Sequence, residues 1–191
     1  MLWLRSAQLQ SDTQDKLAQL AHAEARKKQL LEEDMSSYDV ALKTVPPMLV
    51  ASKRMTIAKS EEVAETLGKA YRQIGDYITQ QGGKMNGPCL TVWYTPASQH
   101  TNEVVEAAFP LAQPIPASAD VQVHELPEVY VASVVHHGNF AEFQNGHAHI
   151  LKWVEANHYQ IGGEYREIYF GQDAQGMSTT EIQVKVNALP G

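Results

Sequence analysis

The chain has one cysteine, Cys89, in 191 residues. It can form neither an internal disulfide nor a cysteine-built zinc cluster, and it fits a reducing compartment. Long apolar runs are missing too. The longest, over residues 129–135, falls far short of the roughly 20 residues that a membrane helix needs. Met1-Leu2-Trp3-Leu4 is apolar, but Arg5 follows at once and leaves no signal-peptide core. A soluble cytoplasmic protein is the expectation. Cationic residues are in deficit, 15 Lys and Arg against 22 Asp and Glu, for a net charge of −7. Such a chain lacks the basic face that phosphate neutralisation requires, so it suits neutral or cationic partners better than nucleic acid. There is no glycine-rich phosphate loop, no Gly-x-Ser-x-Gly elbow and no cysteine beside an obvious base. Metal-ligand spacing is absent as well. His136 and His137 are adjacent and diverge on a strand. His147 and His149 are two apart, whereas metal pairs on a helix sit four apart with carboxylate or cysteine support. Neither a metal nor a cofactor is expected, and no catalytic residue is assigned.

What remains is a globular balance, 43% hydrophobic and 19% charged, enough for one domain and an appendage. The appendage is residues 1–35. Its first 34 residues hold no glycine and no proline, and they are rich in Leu, Ala, Gln, Lys and Glu, all good helix formers. Leu9, Leu17, Leu20, Leu30 and Leu31 form a narrow apolar stripe. It reads as a solvated amphipathic arm or as a helix paired with a partner chain. So narrow a stripe gains little from propensity alone, which favours pairing and hence a homodimer through this helix.

From Tyr38 the texture changes. Residues 40–45 and 48–57 read as strands separated by Pro46-Pro47, which cannot sit inside a ladder. Ser60 is read as a helix cap, with Glu61 and Glu62 in the first turn. Val63, Leu67, Ala70, Tyr71, Ile74 and Ile78 follow at helical spacing, and Gly82-Gly83 stops the helix. Residues 89–94 and 104–109 are strands. After a proline-containing connector the pattern restarts. Val45-Pro46-Pro47-Met48-Leu49-Val50-Ala51-Ser52 aligns with Leu126-Pro127-Glu128-Val129-Tyr130-Val131-Ala132-Ser133 at an offset of 81. Residues 121–125 are a strand, and Asn139 caps a helix carrying Phe140, Phe143, His147, Ile150, Leu151 and Val154 on one face. Gly162-Gly163 follows in the place of Gly82-Gly83, and residues 166–170 and 181–186 are strands. The expected fold is therefore α+β: two pseudo-symmetric β-β-α-β-β units, over about residues 39–112 and 120–188. Each buries its apolar surface against the other around a central cleft, and one long helix precedes them.

Several motifs carry a family resemblance: Tyr38-Asp39-Val40, Lys43-Thr44-Val45-Pro46-Pro47, His137-Gly138-Asn139-Phe140, Arg166-Glu167-Ile168-Tyr169 and Thr180-Glu181-Ile182-Gln183. In this order they resemble the GyrI-like effector-binding domain found at the C-terminus of MerR-type transcription regulators, over about residues 37–188. Residues 1–34 resemble the linker helix of those regulators. The resemblance implies a pseudo-twofold antiparallel sheet with two flanking helices, a cleft for small organic molecules, often lipophilic cations, and an antiparallel coiled coil in a dimer. No segment here supplies the DNA-binding head of those regulators, so the expectation is a sensor portion without DNA binding of its own.

Within this frame Glu167 is the leading site residue. Alternation along Tyr165-Arg166-Glu167-Ile168-Tyr169-Phe170 puts Tyr165, Glu167 and Tyr169 on one face. A carboxylate between two tyrosines suits a cation, and the resemblance places the family's buried acid at the same motif. In a dry cleft the empty state would hold an unpaired carboxylate or else protonate it, and a cation would relieve that cost. A strand glutamate on a wet face, or one paired with Arg166 or a lysine, is the plain alternative. Phe143 faces the core by its spacing, and the resemblance implies an aromatic near it that stacks on the ligand. One of Trp93 and Tyr94 faces the cleft, and the repeat aligns with either. His137 closes a strand beside the cleft. Three functions compete: an effector sensor of a multidrug type, a stand-alone GyrI-like hydrolase of cyclopropane-bearing natural products, and a haem-binding protein of related fold using His136 or His137.

Overall fold

A computed structural model of the chain describes residues 38–96, 101–139 and 142–188. The expected N-terminal helix and Phe140 lie outside these residues. In chain order the elements are β1 (Ala41–Val45), β2 (Met48–Lys59), a 3-10 turn (Ser60–Glu62), α1 (Val63–Gln80), β3 (Cys89–Trp93), β4 (Thr101–Pro110), β5 (Gln122–Leu126), β6 (Val129–Gly138), α2 (Phe143–Ala156), β7 (Tyr159–Gln172) and β8 (Ser178–Ala188). The strands form one curved antiparallel sheet in the order β1-β6-β8-β7-β3-β4-β2-β5. Pro46-Pro47 send consecutive strands to different neighbours. β1 pairs with β6 on one edge, while β2 lies between β4 and β5 on the other side. Pro127 and Glu128 make the same break between β5 and β6. At the middle, β3 pairs with β7, opposing Thr91 to Glu167 and Trp93 to Tyr165.

Each helix buries one stripe against the sheet, as its periodicity requires. From α1 come Leu67, Ala70, Ile74 and Ile78. They meet Ala51, Ile57, Val105 and Ala107 of β2 and β4. From α2 come Phe143, Gly146, Ile150 and Val154, which meet Ala132, Val134, Ile182 and Val184 of β6 and β8. Each fully buried isoleucine or leucine in these clusters contributes about 1.5–3 kcal/mol. Gly146 lets α2 approach the sheet: a Cβ there would stand 2.8 Å from Ile182 Cδ1. Tyr165 packs against both clusters. The other face of the sheet has its own apolar patch of Val50, Leu90, Val92, Ala108 and Leu126.

The helix ends separate local signals from analogy. Gly82 takes φ +66°, its N–H donates to Thr79 O, and Gly83 N–H donates to Ile78 O, the paired bonds of a Schellman stop. Asn139 Oδ1 accepts from the N–H of Glu142, the residue just before α2. Two readings are corrected. Ser60 opens the 3-10 turn with Lys59 before it, and its hydroxyl donates to Glu103 Oε1 at 3.0 Å. The chain first makes this 3-10 turn, so α1 begins only at Val63, with Glu62 before it and no side-chain cap bond there. Gly162-Gly163 do not follow a helix end. α2 is closed by Asn157, whose Nδ2 donates to Trp153 O, and by His158 at φ +59°. The glycines fall inside β7, where the register against β8 shifts between Ile161 and Tyr165. The bulge needs them: Gly163 has φ +86°, and a Cβ on Gly162 would lie 2.5 Å from Lys185 Cγ.

Candidate functional site

Alternation turns Glu167 toward the helix side of β7 and Arg166 to the opposite side. Both are buried, and the Glu167 side chain is 7% exposed. Arg166 Nη2 donates to Glu164 Oε1 at 3.2 Å, so it is not the partner of Glu167. Nor is the carboxylate unpaired. Tyr169 OH donates to Oε2 at 2.5 Å, and His147 Nε2, reaching in from α2, donates to Oε1 at 2.9 Å. Because a carboxylate only accepts, Nε2 of His147 carries the proton. The expectation of a bare carboxylate is thus corrected, since a helix from elsewhere in the chain brings a donor that no strand pattern contains.

The same accounting orients a longer chain. The one hydroxyl proton of Tyr169 goes to Glu167, so Thr91 Oγ1, 3.2 Å away, donates to Tyr169. Thr91 Oγ1 in turn accepts from Tyr71 OH at 2.7 Å. A chain of hydroxyls from α1 through β3 to β7 therefore ends on one buried carboxylate, which also accepts from His147 of α2. Burial first, and the charge of Glu167 next, push the Tyr169 and Tyr165 hydroxyls well above the usual tyrosine value. Burial likewise raises Tyr71. All three hydroxyls stay protonated at physiological pH.

A cavity of about 460 Å³ opens beside this carboxylate. Val63, Leu67 and Tyr71 of α1 form one wall, Phe143 of α2 another, and Trp93, Glu167 and Tyr169 the base. Trp93 stacks on Tyr165 with ring centres 5.6 Å apart and planes 6° from parallel. Its Nε1 is buried without a hydrogen-bond partner among the described residues. Cys89 also lines the cavity, and burial pushes its thiol up. A space of this size, apolar on most sides with one acid and several ring faces, can take a drug-sized molecule and hold a positive charge.

Four of the residues singled out from the sequence meet here: Glu167, Tyr169, Phe143 and Trp93. Tyr165 stands behind Trp93 and faces a neighbouring hollow. Tyr94 lies on the opposite face, where its OH donates to Glu106 Oε2 at 2.7 Å and Arg54 sits 4.0 Å over its ring. The choice between Trp93 and Tyr94 is thereby made by strand direction. His137 also points away, its ring against Thr179 Oγ1 at 2.9 Å, because its neighbour His136 takes the inward side and is held by Tyr38 OH at 2.6 Å. Sequence reasoning missed His147, Tyr71 and Thr91 as site residues. The signal for His147 was present, since it lies one turn beyond Phe143 on the same helix face.

Residues 38–187 match the GyrI-like small molecule binding domain. No curated protein matches the chain. Among solved structures it is similar to EcmrR in a DNA complex, with a TM-score of 0.70 and 22% identity over 93% of this chain and 69% of that one. The EcmrR C-terminal domain alone gives 0.66 and 22%, over 80% of this chain and 99% of that one. A hydrolase encoded by lin2189 from Listeria innocua gives 0.56 and 11%, over 78% and 92%. SAV2435 bound to tetraphenylphosphonium gives 0.58 and 12%, over 78% and 94%. At these identities the likeness is one of fold. Among the described residues no helix is long and apolar enough to cross a membrane.

Proposed function

The chain belongs to the GyrI-like small-molecule-binding family, and we propose that its cleft takes a lipophilic cation as the effector of a MerR-type regulator. The observation that carries this reading is the Glu167 carboxylate, 7% exposed, at the base of an apolar, ring-lined cavity of about 460 Å³. The acid has little contact with bulk water, so a lipophilic cation, which has little hydration to lose, gains a charge interaction and several ring faces. Binding must compete with His147 for Glu167. A ligand that draws Glu167 away from His147 therefore has a differential energy with which to move α2 against β7. Two further parts belong to the proposal. Exchanging β1–β4 with β5–β8 maps the strand order onto its own reverse, which supports reading the halves as pseudo-symmetric copies. Pairing of two chains through residues 1–35 would carry the signal between protomers.

Tetraphenylphosphonium is the first probe, by calorimetry. Glu167→Gln should weaken its binding at least tenfold, about 1.4 kcal/mol. Equal affinity of wild type and Glu167→Gln for this and other lipophilic cations would refute the role of the acid.

The hydrogen-bonded series His147–Glu167–Tyr169 supports a second reading, a hydrolase. Glu167 would orient or deprotonate a water, with Tyr169 as the proton donor. Turnover of a cyclopropane-bearing compound, lost in Glu167→Gln, would decide for it.

A further inference from the structure

A second hollow, of about 440 Å³, adjoins the cleft but shares no lining residue with it. Its walls are Leu151 and His147 of α2, Val184 of β8, and Ile161, Glu164 and Tyr165 along the bulged part of β7. The volume is within the roughly 300–1,000 Å³ typical of small-molecule sites. What separates the two spaces is a double layer of rings. Trp93 faces the cleft and stacks on Tyr165, which faces the hollow. Phe143 faces the cleft and meets the edge of His147, which faces the hollow, at 5.1 Å between ring centres. His147 and Tyr165 close the partition edge to face at 5.3 Å. Each space thus looks onto one member of each ring pair.

The chemistry on the two sides differs. In the cleft, Glu167 is an acid whose donors are neutral hydroxyls and an imidazole. Glu164 borders the hollow, but its carboxylate is engaged by cations on the opposite side of the sheet. Arg166 Nη2 stands 3.2 Å from one oxygen and Lys185 Nζ 4.0 Å from the other. The hollow therefore lacks an acid of the kind that Glu167 supplies to the cleft. The remaining walls are aliphatic or aromatic, and Ile161 is left 49% exposed at the rim. An apolar side chain held that open at the rim of an apolar space gains when a neutral, lipophilic molecule covers it.

We propose that this hollow is a second small-molecule site, selective for neutral lipophilic compounds and able to be filled together with the cleft. It goes beyond the cation-sensing reading and does not need it. Because the partition is shared, an occupant on one side presses on rings that line the other, so the two ligands affect each other's affinity.

The test uses N-phenyl-1-naphthylamine, a neutral dye that brightens in apolar surroundings, titrated into the full chain. Leu151→Trp, which fills the hollow, should weaken dye binding at least tenfold. Ile161→Asp, an exposed rim change with little reach into the fold, should weaken it at least threefold. Ala64→Trp, which blocks the mouth of the cleft instead, should leave it within twofold. Dye binding indifferent to both hollow variants, or as sensitive to Ala64→Trp as to Leu151→Trp, overturns the proposal. So does complete competitive displacement of the dye by tetraphenylphosphonium. If tetraphenylphosphonium fails to bind while the dye follows the variant pattern above, the cation reading falls and the second site stands.

Discussion

Removing one oxygen, in Tyr169→Phe, tests the convergence of donors on Glu167. The ring remains, so packing is preserved and no void larger than a hydroxyl opens. What is lost is the 2.5 Å donation to Glu167 Oε2 and the acceptor that Thr91 uses at 3.2 Å. A hydrogen bond to a charged, buried group contributes about 1.5–3 kcal/mol net. With the Glu167 side chain 7% exposed, water replaces the lost donor poorly. For a domain of this size about 2–4 °C of Tm accompanies each kcal/mol, so Tm should fall by about 3–12 °C. The assay is urea unfolding of wild type, Tyr169→Phe, Glu167→Gln and the double variant. Because the two groups touch, their coupling should be about 1 kcal/mol or more. A Tyr169→Phe protein within about 0.5 kcal/mol of wild type, or strict additivity with Glu167→Gln, would refute the hydrogen-bonded chain as described.

Other consequences follow from the outer face of the sheet and from β7. At Glu106, burial raises the carboxyl, but Ser52, Tyr94 and His124 together outweigh it and hold it below the usual value. At Glu181, burial is likewise outweighed by Lys43, Ser133 and Gln183. Folded-state values depressed in this way add stability above the unfolded carboxyl value near pH 4.5, and that stability is lost as pH falls through the folded values. Glu106→Gln and Glu181→Gln should each lower Tm at neutral pH and flatten the decline of Tm between about pH 5 and 3; an unchanged acid limb would count against both networks. The raised hydroxyls of Tyr71, Tyr165 and Tyr169 carry the opposite sign: stability is intact below the unfolded tyrosine value near pH 10 and declines as pH rises past it. Of the eight tyrosines, at least these three should resist ionisation at pH 11 in the folded chain, read by absorbance near 295 nm. At Gly163, φ +86° with open space around the Cβ position means that Gly163→Val meets backbone strain and not collision, at a cost of about 1–2 kcal/mol in urea unfolding.

Much of this arrangement was legible locally. The 3.6-residue period marked the buried faces of α1 and α2. Prolines marked the strand breaks, and Gly82-Gly83 marked a real helix stop. Such signals are legible because steric and hydrogen-bonding preferences act over a few residues. One reading drawn from analogy between the halves failed. Gly162-Gly163 look like Gly82-Gly83, yet Asn157 and His158 had already closed the helix and left the pair for a bulge. Ser60 looks like a cap, yet a 3-10 turn intervenes and the α-helix starts only at Val63.

Period-two alternation by itself put Glu167 and Tyr169 on one side of a strand and their neighbours on the other, because side chains on a pleated chain have no other choice. Only the tertiary structure decided who answers the acid. His147 comes from a helix 20 residues earlier and Thr91 from a strand 76 residues earlier. His147 meets Glu167 directly and Thr91 reaches it through Tyr169, because β3 and β7 pair at the centre of the sheet while α2 packs across it. Partners of a buried charge are chosen by proximity in space, and no spacing along the chain encodes that proximity.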